Sequence, residues 1–183
     1  DEIIIFGGAL SDANDAPALG RMWSWDGESF TERTPEPMPP ARHGFGMVWD
    51  TARQEIILFG GRDGDVLYND TWSWNGEAWT LKAPTTSPTA RWEFGMAYDA
   101  ARAEVVVFGG GIGSPVDNTT WTWNGSDWTL EDPTNSPSAR FQHAMGYHAG
   151  TEKIIVLGGR AGSTVIDETW EWNGQNWFEL EPN

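Results

Sequence analysis

The chain has 183 residues, a net charge of −16 and no cysteine. An acidic surface repels phosphate groups and anionic lipids, so this charge argues against nucleic acid and membrane surfaces as partners. The lack of cysteine excludes disulfides and thiol catalysis, and no apolar run is long enough for membrane insertion as a helix.

Tryptophan pairs recur along the chain at a constant step of 49 residues. An arginine, a glycine pair and a third aromatic residue follow the same step. The residues that we interpret as structural on this basis are Trp25, Trp74, Trp123, Trp172, Trp79, Trp128, Trp177, Gly60, Gly61, Gly109, Gly110, Gly158, Gly159, Arg42, Arg91 and Arg140. A repeated unit of this kind cannot bury its apolar face alone, so we expect neighbouring units to stack.

The first unit, residues 1–38, opens directly on the apolar run Ile3 to Phe6. In the other units this run is preceded by a further strand, so the first unit is predicted to lack its innermost strand. Its tryptophan pair is followed by Asp26-Gly27, a turn signal. We therefore predict three strands here instead of four.

The second unit, residues 39–87, shows the complete pattern. Alternation of large and small residues predicts a strand from Arg42 to Asp50, and the apolar run Glu55 to Phe59 predicts a buried one. Thr71 to Trp74 leads into Asn75-Gly76, which predicts a two-residue type I′ hairpin. Trp79 begins the closing strand. Because the two tryptophans of a pair are two residues apart, they should share one face of the sheet.

The third and fourth units, residues 88–136 and 137–183, repeat this order of strands. Proline-rich joints separate the units, and proline is typical of passages between strands because it cannot donate to a ladder. No segment has a helical period. The chain is predicted to be all-β, with antiparallel four-stranded meanders.

The apolar run with Gly-Gly, the spaced tryptophans and the period near 50 residues resemble the kelch repeat, as in kelch propellers and the central domain of the galactose oxidase family. The motif D-T-W-x-W-N-G resembles a bacterial variant of this repeat. The resemblance implies a β-propeller with four blades in this chain. Related propellers usually have more blades, which leaves three alternatives open: a segment of a longer chain, a homo-oligomer that completes a larger ring, or a self-contained four-bladed ring.

One face of such a propeller carries the connections between second and third strands, and these differ in every unit. They span Ala9 to Gly20, Arg62 to Asn69, Gly111 to Asn118 and Arg160 to Asp167. Variable loops on a repeated scaffold are where binding residues concentrate. The candidate ligand-binding residues on this face are Arg62, Asp63, Asp65, Tyr68, Arg160, His43 and Trp92. The repeated arginines beside them are expected to pair with a loop carboxylate or carbonyl.

No catalytic residue, metal site or cofactor is predicted. Asp63, Asp65 and Asp70 do not follow the calcium-loop spacing, and the three histidines do not share a repeat register. The copper chemistry of galactose oxidase needs a cysteine, which this chain lacks.

The sequence thus predicts a non-catalytic protein-interaction or structural module with a protein partner. A carbohydrate-binding module, and a propeller domain of a lyase or oxidase whose catalytic parts lie elsewhere, stay open as alternatives. The acidic, lysine-poor and tryptophan-rich composition favours an extracellular or cell-surface location in a bacterium.

Overall fold

The computed structural model describes residues 2–11, 17–113 and 116–181. This part of the chain consists of strands and connections, without a helix. No helix that could cross a membrane is therefore found in it. The strands form four antiparallel sheets, which follow one another in chain order, and two short two-stranded ribbons.

Each sheet is a meander whose strands pair with their neighbours in sequence. Sheet 1 contains β1 (Ile3–Phe6), β2 (Met22–Trp25) and β3 (Phe30–Arg33). Sheet 2 contains β4 (Gly46–Asp50), β5 (Glu55–Phe59), β8 (Thr71–Trp74) and β9 (Trp79–Leu81), with the ribbon β6 (Arg62–Asp63) and β7 (Val66–Leu67) between its second and third strands. Sheet 3 contains β10 (Gly95–Asp99), β11 (Glu104–Gly111), β12 (Val116–Trp123) and β13 (Trp128–Leu130). Sheet 4 contains β14 (Ala144–His148), β15 (Lys153–Leu157), β18 (Thr169–Trp172) and β19 (Trp177–Leu180), with the ribbon β16 (Arg160–Ala161) and β17 (Thr164–Val165).

The prediction of an all-β fold with antiparallel four-stranded sheets is confirmed. In the described part of the chain, sheet 1 has three strands, as its sequence indicates. The unit boundaries and the number of blades in a complete propeller stay predictions.

Two local predictions are wrong. The hairpin after Trp74 is not a two-residue turn, because Trp74 pairs with Trp79 and leaves four residues in the loop. The side-chain Oδ1 of Asn75 accepts hydrogen bonds from the backbone N–H groups of Glu77 and Ala78, both at 2.9 Å, so asparagine acts here through its side chain. The first strand of sheet 2 begins at Gly46 and not at Arg42, since the chain turns at Gly44 with φ of 63°.

The apolar core lies between the sheets. The tryptophan pair of each sheet does share one face, which we call the indole face. The opposite side of the preceding sheet, which we call its receiving face, packs against it. Trp128 and Trp177 are buried in this way, and their indole N–H groups donate to Thr71 Oγ1 at 2.9 Å and Thr120 Oγ1 at 2.8 Å on the preceding sheet. Trp128 and Trp177, which begin the closing strands, therefore join neighbouring sheets by both apolar burial and a hydrogen bond, whereas Trp123 and Trp172 contribute burial.

The glycine pair at the end of the second strand is required by close approach of the next sheet. Gly60 has φ of 66°, and a Cβ there would lie 2.8 Å from the carbonyl oxygen of Arg91. The N–H of Gly61 donates to the same carbonyl at 2.8 Å. Only glycine allows this conformation and this contact together, which explains the repetition of the pair.

Candidate functional site

The arginines that begin each innermost segment are buried and fully engaged. Arg42 is 0% exposed and donates to both carboxylate oxygens of Asp70, at 2.6 and 2.9 Å, and to the Gly60 carbonyl at 2.9 Å. A guanidinium paired on both edges in this way is a strong and specific contact. It ties the first strand of the sheet to the end of the second strand and to the start of the third.

The corresponding arginines of sheets 3 and 4 also donate to a glycine carbonyl, but their carboxylate partners differ. Arg91 pairs with Asp117 at 3.3 Å, whereas Arg140 pairs with Glu168. Burial lowers the pKa of Arg91 and Asp117 opposes this effect, while the hydrogen bond from Arg140 lowers the pKa of Glu168. The predicted pairing with loop carboxylates and carbonyls is present at all three arginines, so their charges are satisfied within the fold.

Next to each arginine, one residue forms an isolated bridge with the connection after the second strand. The bridges join His43 to Arg62, Trp92 to Gly111 and Phe141 to Arg160. Each is a reciprocal pair of backbone hydrogen bonds between 2.8 and 3.0 Å. We call these six residues the bridge row. They lie at the end of the sheets where the variable connections are, and backbone pairing fixes their positions.

Side-chain contacts connect the bridge row across sheets 2, 3 and 4. The guanidinium of Arg62 lies 4.5 Å from the ring centroid of Trp92, which is a cation–π contact between two sheets. The rings of Trp92 and Phe141 are 6.3 Å apart at their centroids. Arg160 continues the row and is exposed. The structure thus brings together four of the predicted binding residues: His43, Arg62, Trp92 and Arg160.

The other three predicted binding residues lie apart from this row. Tyr68 lies with its ring 4.0 Å from the Arg42 guanidinium, and its N–H donates to the Gly61 carbonyl, so its contacts are with the scaffold. Asp63 Oδ1 accepts a hydrogen bond from the Ala18 N–H at 3.0 Å and thereby joins two connections. Asp65 is exposed at the tip of the β6–β7 ribbon. Their role in binding stays a prediction.

The backbone turn that follows each bridge residue was not predicted from the sequence. Glu93 and Gln142 follow the bridge residues and have φ of 52° and 55°, values that favour glycine, which is the residue at the equivalent Gly44. The Glu93 N–H donates to the Gly44 carbonyl at 2.7 Å, and the Gln142 N–H donates to the Glu93 carbonyl at 2.9 Å. The repeat could have indicated this turn, because Gly44, Glu93 and Gln142 stand 49 positions apart.

His43 Nε2 in the row and Glu93 Oε2 next to it are buried and have no hydrogen-bond partner within the described residues. Such atoms are uncommon in folded proteins and indicate room for water or for a polar group of a ligand. Parts of the variable connections, residues 12–16 and 114–115, lie outside the described residues.

The arrangement offers a planar cation, two aromatic rings and unsatisfied hydrogen-bonding atoms, which suit recognition. The described residues contain no cluster of three histidine, aspartate or glutamate side chains that could hold a metal ion. Asp70, one of the acidic residues considered for calcium, is instead paired with Arg42 and accepts from the Trp72 indole at 2.7 Å.

The comparisons with known proteins agree with this architecture. A search of curated protein sequences finds no significant match. The family model described as the KLHDC2/KLHL20/DRC7 kelch-repeats domain matches residues 1–183. The sheets, the glycine pairs and the tryptophan junctions are thus those of kelch repeats, and the chain belongs to the KLHDC2/KLHL20/DRC7 family of kelch-repeat domains.

Proposed function

We propose that this chain is a non-catalytic protein-interaction module whose partner binds at the bridge row. Kelch-repeat domains are generally protein-interaction modules, which supports the general assignment. The observation that carries the location is the stacking of Arg62 on Trp92 at 4.5 Å. Arginine and tryptophan dominate binding energy in protein interfaces, and here backbone bridges hold them in place before any partner arrives.

The chemistry of the row favours a partner segment that carries carboxylates. Arg62 and Arg160 provide cationic groups on a protein of net charge −16. Arg42 and Arg140 are buried, with side chains 0% exposed, and pair with Asp70 and Glu168 within the fold. A partner carboxylate would meet Arg62 while apolar side chains beside it contact the rings of Trp92 and Phe141. A short acidic segment with an aromatic or aliphatic residue fits this surface.

Peptide display against the immobilised chain, followed by calorimetry on enriched acidic peptides, tests this proposal. Arg62→Ala and Trp92→Ala should each weaken binding by about tenfold or more, because truncation of a hot-spot residue costs more than about 1.4 kcal/mol. Arg33→Ala and Trp49→Ala are matched controls: Arg33 pairs with Glu2 at the outermost strand, and Trp49 is exposed beside the innermost turn of sheet 2. Equal binding by all four variants would contradict the assignment.

A carbohydrate ligand is the second candidate, favoured by the adjacent rings of Trp92 and Phe141. Aromatic faces offer apolar area to a sugar ring, and the Arg62 guanidinium and His43 Nε2 could serve its hydroxyl groups. A glycan array probed with the wild type and with Trp92→Ala separates the two candidates. Glycan binding that disappears in the variant would favour a sugar ligand, whereas an array without signal would favour the acidic peptide segment as the ligand.

The proposal extends to location. An acidic chain with two lysines, no cysteine and 13 tryptophans supports a secreted or surface-exposed bacterial module. Fractionation of the cells that produce it, with antibody detection, should place it outside the cytoplasm.

A further inference from the structure

The four-stranded sheets share a set of three positions on their receiving faces, which we call the triplet. The positions lie at the start of the second strand, within the third strand and at the end of the fourth, and each recurs every 49 residues. In sheet 2 the triplet consists of Glu55, Ser73 and Lys82. The receiving face packs against the following sheet, so charges in the triplet act on the junction between the two sheets.

The triplet of sheet 2 is balanced by an ion pair. Lys82 Nζ lies 3.2 Å from Glu55 Oε2, and the two side chains are 25% and 14% exposed. Sheet 4 also holds one pair of opposite charges in its triplet, Lys153 with Glu171. In both sheets the charge of one member is therefore compensated by another member of the same triplet.

The triplet of sheet 3 has two carboxylates and no cation. Its residues are Glu104, Thr122 and Glu131, so a glutamate stands where sheet 2 has its lysine. Thr122 Oγ1 donates to Glu131 Oε1 at 2.7 Å, which holds this carboxylate over the face. The Glu104 carboxylate has no hydrogen bond or ion pair among the described residues. Two negative charges thus share a position that carries an ion pair in sheets 2 and 4.

The arginines near Glu104 do not compensate its charge. Asp99 pairs with Glu104 in the register of the first two strands, and Arg102 is bound to that aspartate at 2.7 Å. Arg53 of sheet 2 is also near but is bound to Asp50, again at 2.7 Å. Each arginine is already matched by an aspartate, which leaves the glutamates of the triplet unmatched.

Sheet 4, which covers this face, supplies no cation to it within the described residues. Its indole face consists of apolar and aromatic side chains that form one cluster with Val106 and Phe108 of sheet 3. The charged residues of sheet 4 at this end are Glu152 in the first turn and Glu179 on the outer strand, and both are exposed. His143 stands at the other end of the junction, against Phe108.

The surroundings therefore disfavour the ionised form of Glu104. Burial raises the pKa of Glu104 above its ordinary value of 4.5, repulsion from Glu131 and Asp99 adds to the rise, and Arg102 and Arg53 oppose it. A carboxyl whose pKa is higher in the folded chain than in the unfolded chain lowers stability when ionised. Stability is regained as pH falls through the folded pKa toward the unfolded one.

We propose that the triplet of sheet 3 is a pH-sensitive switch, in which proton uptake by Glu104 tightens the junction with sheet 4 and ionisation loosens it. The proton comes from solvent and binds to a carboxylate oxygen, so the group changes from an anion to a neutral carboxyl. This change ends its repulsion with Glu131 and removes the cost of a charge beside the apolar cluster. Sheets 2 and 4 cover sheet 3 on both sides, so the switch is internal to the chain.

Thermal unfolding of the full chain tests the proposal. Glu104→Gln replaces the carboxylate by a neutral group of the same size and should raise Tm at pH 8 by about 2–4 °C. Glu55→Gln is the matched control at the same position of sheet 2, and it should lower Tm because Lys82 loses its partner. At pH 4 the gain in Glu104→Gln should disappear, since the wild-type carboxyl is then protonated. His143→Phe, introduced into both chains, removes the titration of the histidine from this comparison.

Glu131→Lys gives sheet 3 the lysine that sheet 2 has at this position. Carbon NMR of the Glu104 carboxyl should show half-protonation above pH 4.5 in wild type and below it in Glu131→Lys, because a cation replaces an anion. This site-specific readout does not depend on any general change in stability.

Three results would overturn the proposal. The first is a Glu104→Gln variant that melts at or below wild type at pH 8. The second is a gain in Tm that is the same at pH 8 and pH 4, since it would not come from titration. The third is a Glu104 carboxyl that titrates at or below its ordinary pKa in wild type, or that titrates unchanged in Glu131→Lys.

Discussion

The junction between sheets 2 and 3 and the junction between sheets 3 and 4 are built from the same parts, yet differ at one ring. In both, an indole donates to a threonine of the preceding sheet, at 2.9 and 2.8 Å. In both, a glycine of the preceding sheet donates to the carbonyl of a buried arginine at 2.8 Å. The difference is that Phe94 packs on Phe59 in the first junction, while His143 packs on Phe108 in the second.

The two ring contacts have almost the same geometry. The centroids are 5.6 Å apart at 62° for Phe59 and Phe94, and 5.5 Å apart at 64° for Phe108 and His143. This position therefore requires a flat ring in an edge-on orientation, and either a phenyl or an imidazole ring fits it. Only the second ring can ionise, so the two junctions should respond differently to pH.

The largest effects are expected from the buried arginines, and they should differ between the junctions. Arg91→Ala should lower the free energy of unfolding by about 3–5 kcal/mol, because it leaves a buried carboxylate without its partner. The side chain of that partner, Asp117, is 12% exposed, whereas Glu168, the partner of Arg140, is 39% exposed. Glu168 can regain water more easily, so Arg140→Ala should cost about 1 kcal/mol less.

Urea denaturation followed by tryptophan fluorescence measures both variants. The double variant Arg91→Ala with Asp117→Asn separates loss of the pair from loss of packing, since it removes the unpaired charge and should recover part of the stability. Equal losses for Arg91→Ala and Arg140→Ala would show that partner exposure does not matter at this position.

The indole hydrogen bonds come next, and here the junctions should agree. Trp128→Phe and Trp177→Phe each remove one donor and part of a buried ring, and each should cost about 1–3 kcal/mol. Thermal unfolding measures the losses, with Trp49→Phe, at an exposed tryptophan, as the control near zero. Values for the two junctions that differ by more than the control would mean that the shared geometry hides unequal energies.

The repeated half of the structure could be predicted from the sequence, because identical residues at one register must solve one packing problem. The step of 49 residues predicts the sheets, the tryptophan junctions and the glycine pairs. The prediction of a two-residue turn after Trp74 was wrong, because the Asn-Gly pair does not reveal that the Asn75 side chain caps a four-residue loop. Side-chain caps compete with backbone turns, and spacing alone does not separate them.

The candidate site could be predicted only in part. Variable connections next to repeated arginines pointed to His43, Arg62, Trp92 and Arg160. Their contact across sheets depends on which sheet lies beside which and in what register, and this follows from packing and not from spacing. Tyr68 shows the limit, since a tyrosine in a variable loop turned out to lie on a buried arginine.

The pH dependence of the second junction should be comparable in size to the tryptophan effects. Burial, with the nearby Arg140 charge, lowers the pKa of His143 to about 4. The neutral ring is therefore favoured in the folded state, and its contribution is complete above the unfolded pKa of about 6.5 and is lost as pH falls toward 4. Relative to His143→Phe, wild type should lose about 2–3 kcal/mol of stability between pH 7 and pH 4.

The first junction supplies the reciprocal variant. Phe94→His should introduce the same loss on acidification, while the double exchange Phe94→His with His143→Phe should move the pH dependence from one junction to the other. Denaturation curves across this pH range check both. A His143→Phe variant whose stability falls with pH as steeply as wild type would place the titration elsewhere.

The contact that we call the arginine clasp should give the smallest effect: Arg53 pairs with Asp50 and donates to the Ala103 and Asn124 carbonyls of the following sheet. Because Asp50 is buried, the double variant Arg53→Ala with Asp50→Asn removes the clasp without leaving a buried carboxylate unpaired, and it should cost about 0.5–1.5 kcal/mol. Glycines offer a sharper comparison. Gly125 and Gly76 have φ of 100° and 98°, but a Cβ at Gly125 would overlap Arg53, whereas none lies near Gly76. Both alanine variants cost the same backbone strain, so the extra loss in Gly125→Ala measures the clasp. If the two variants melt together, the clasp contributes nothing to the junction.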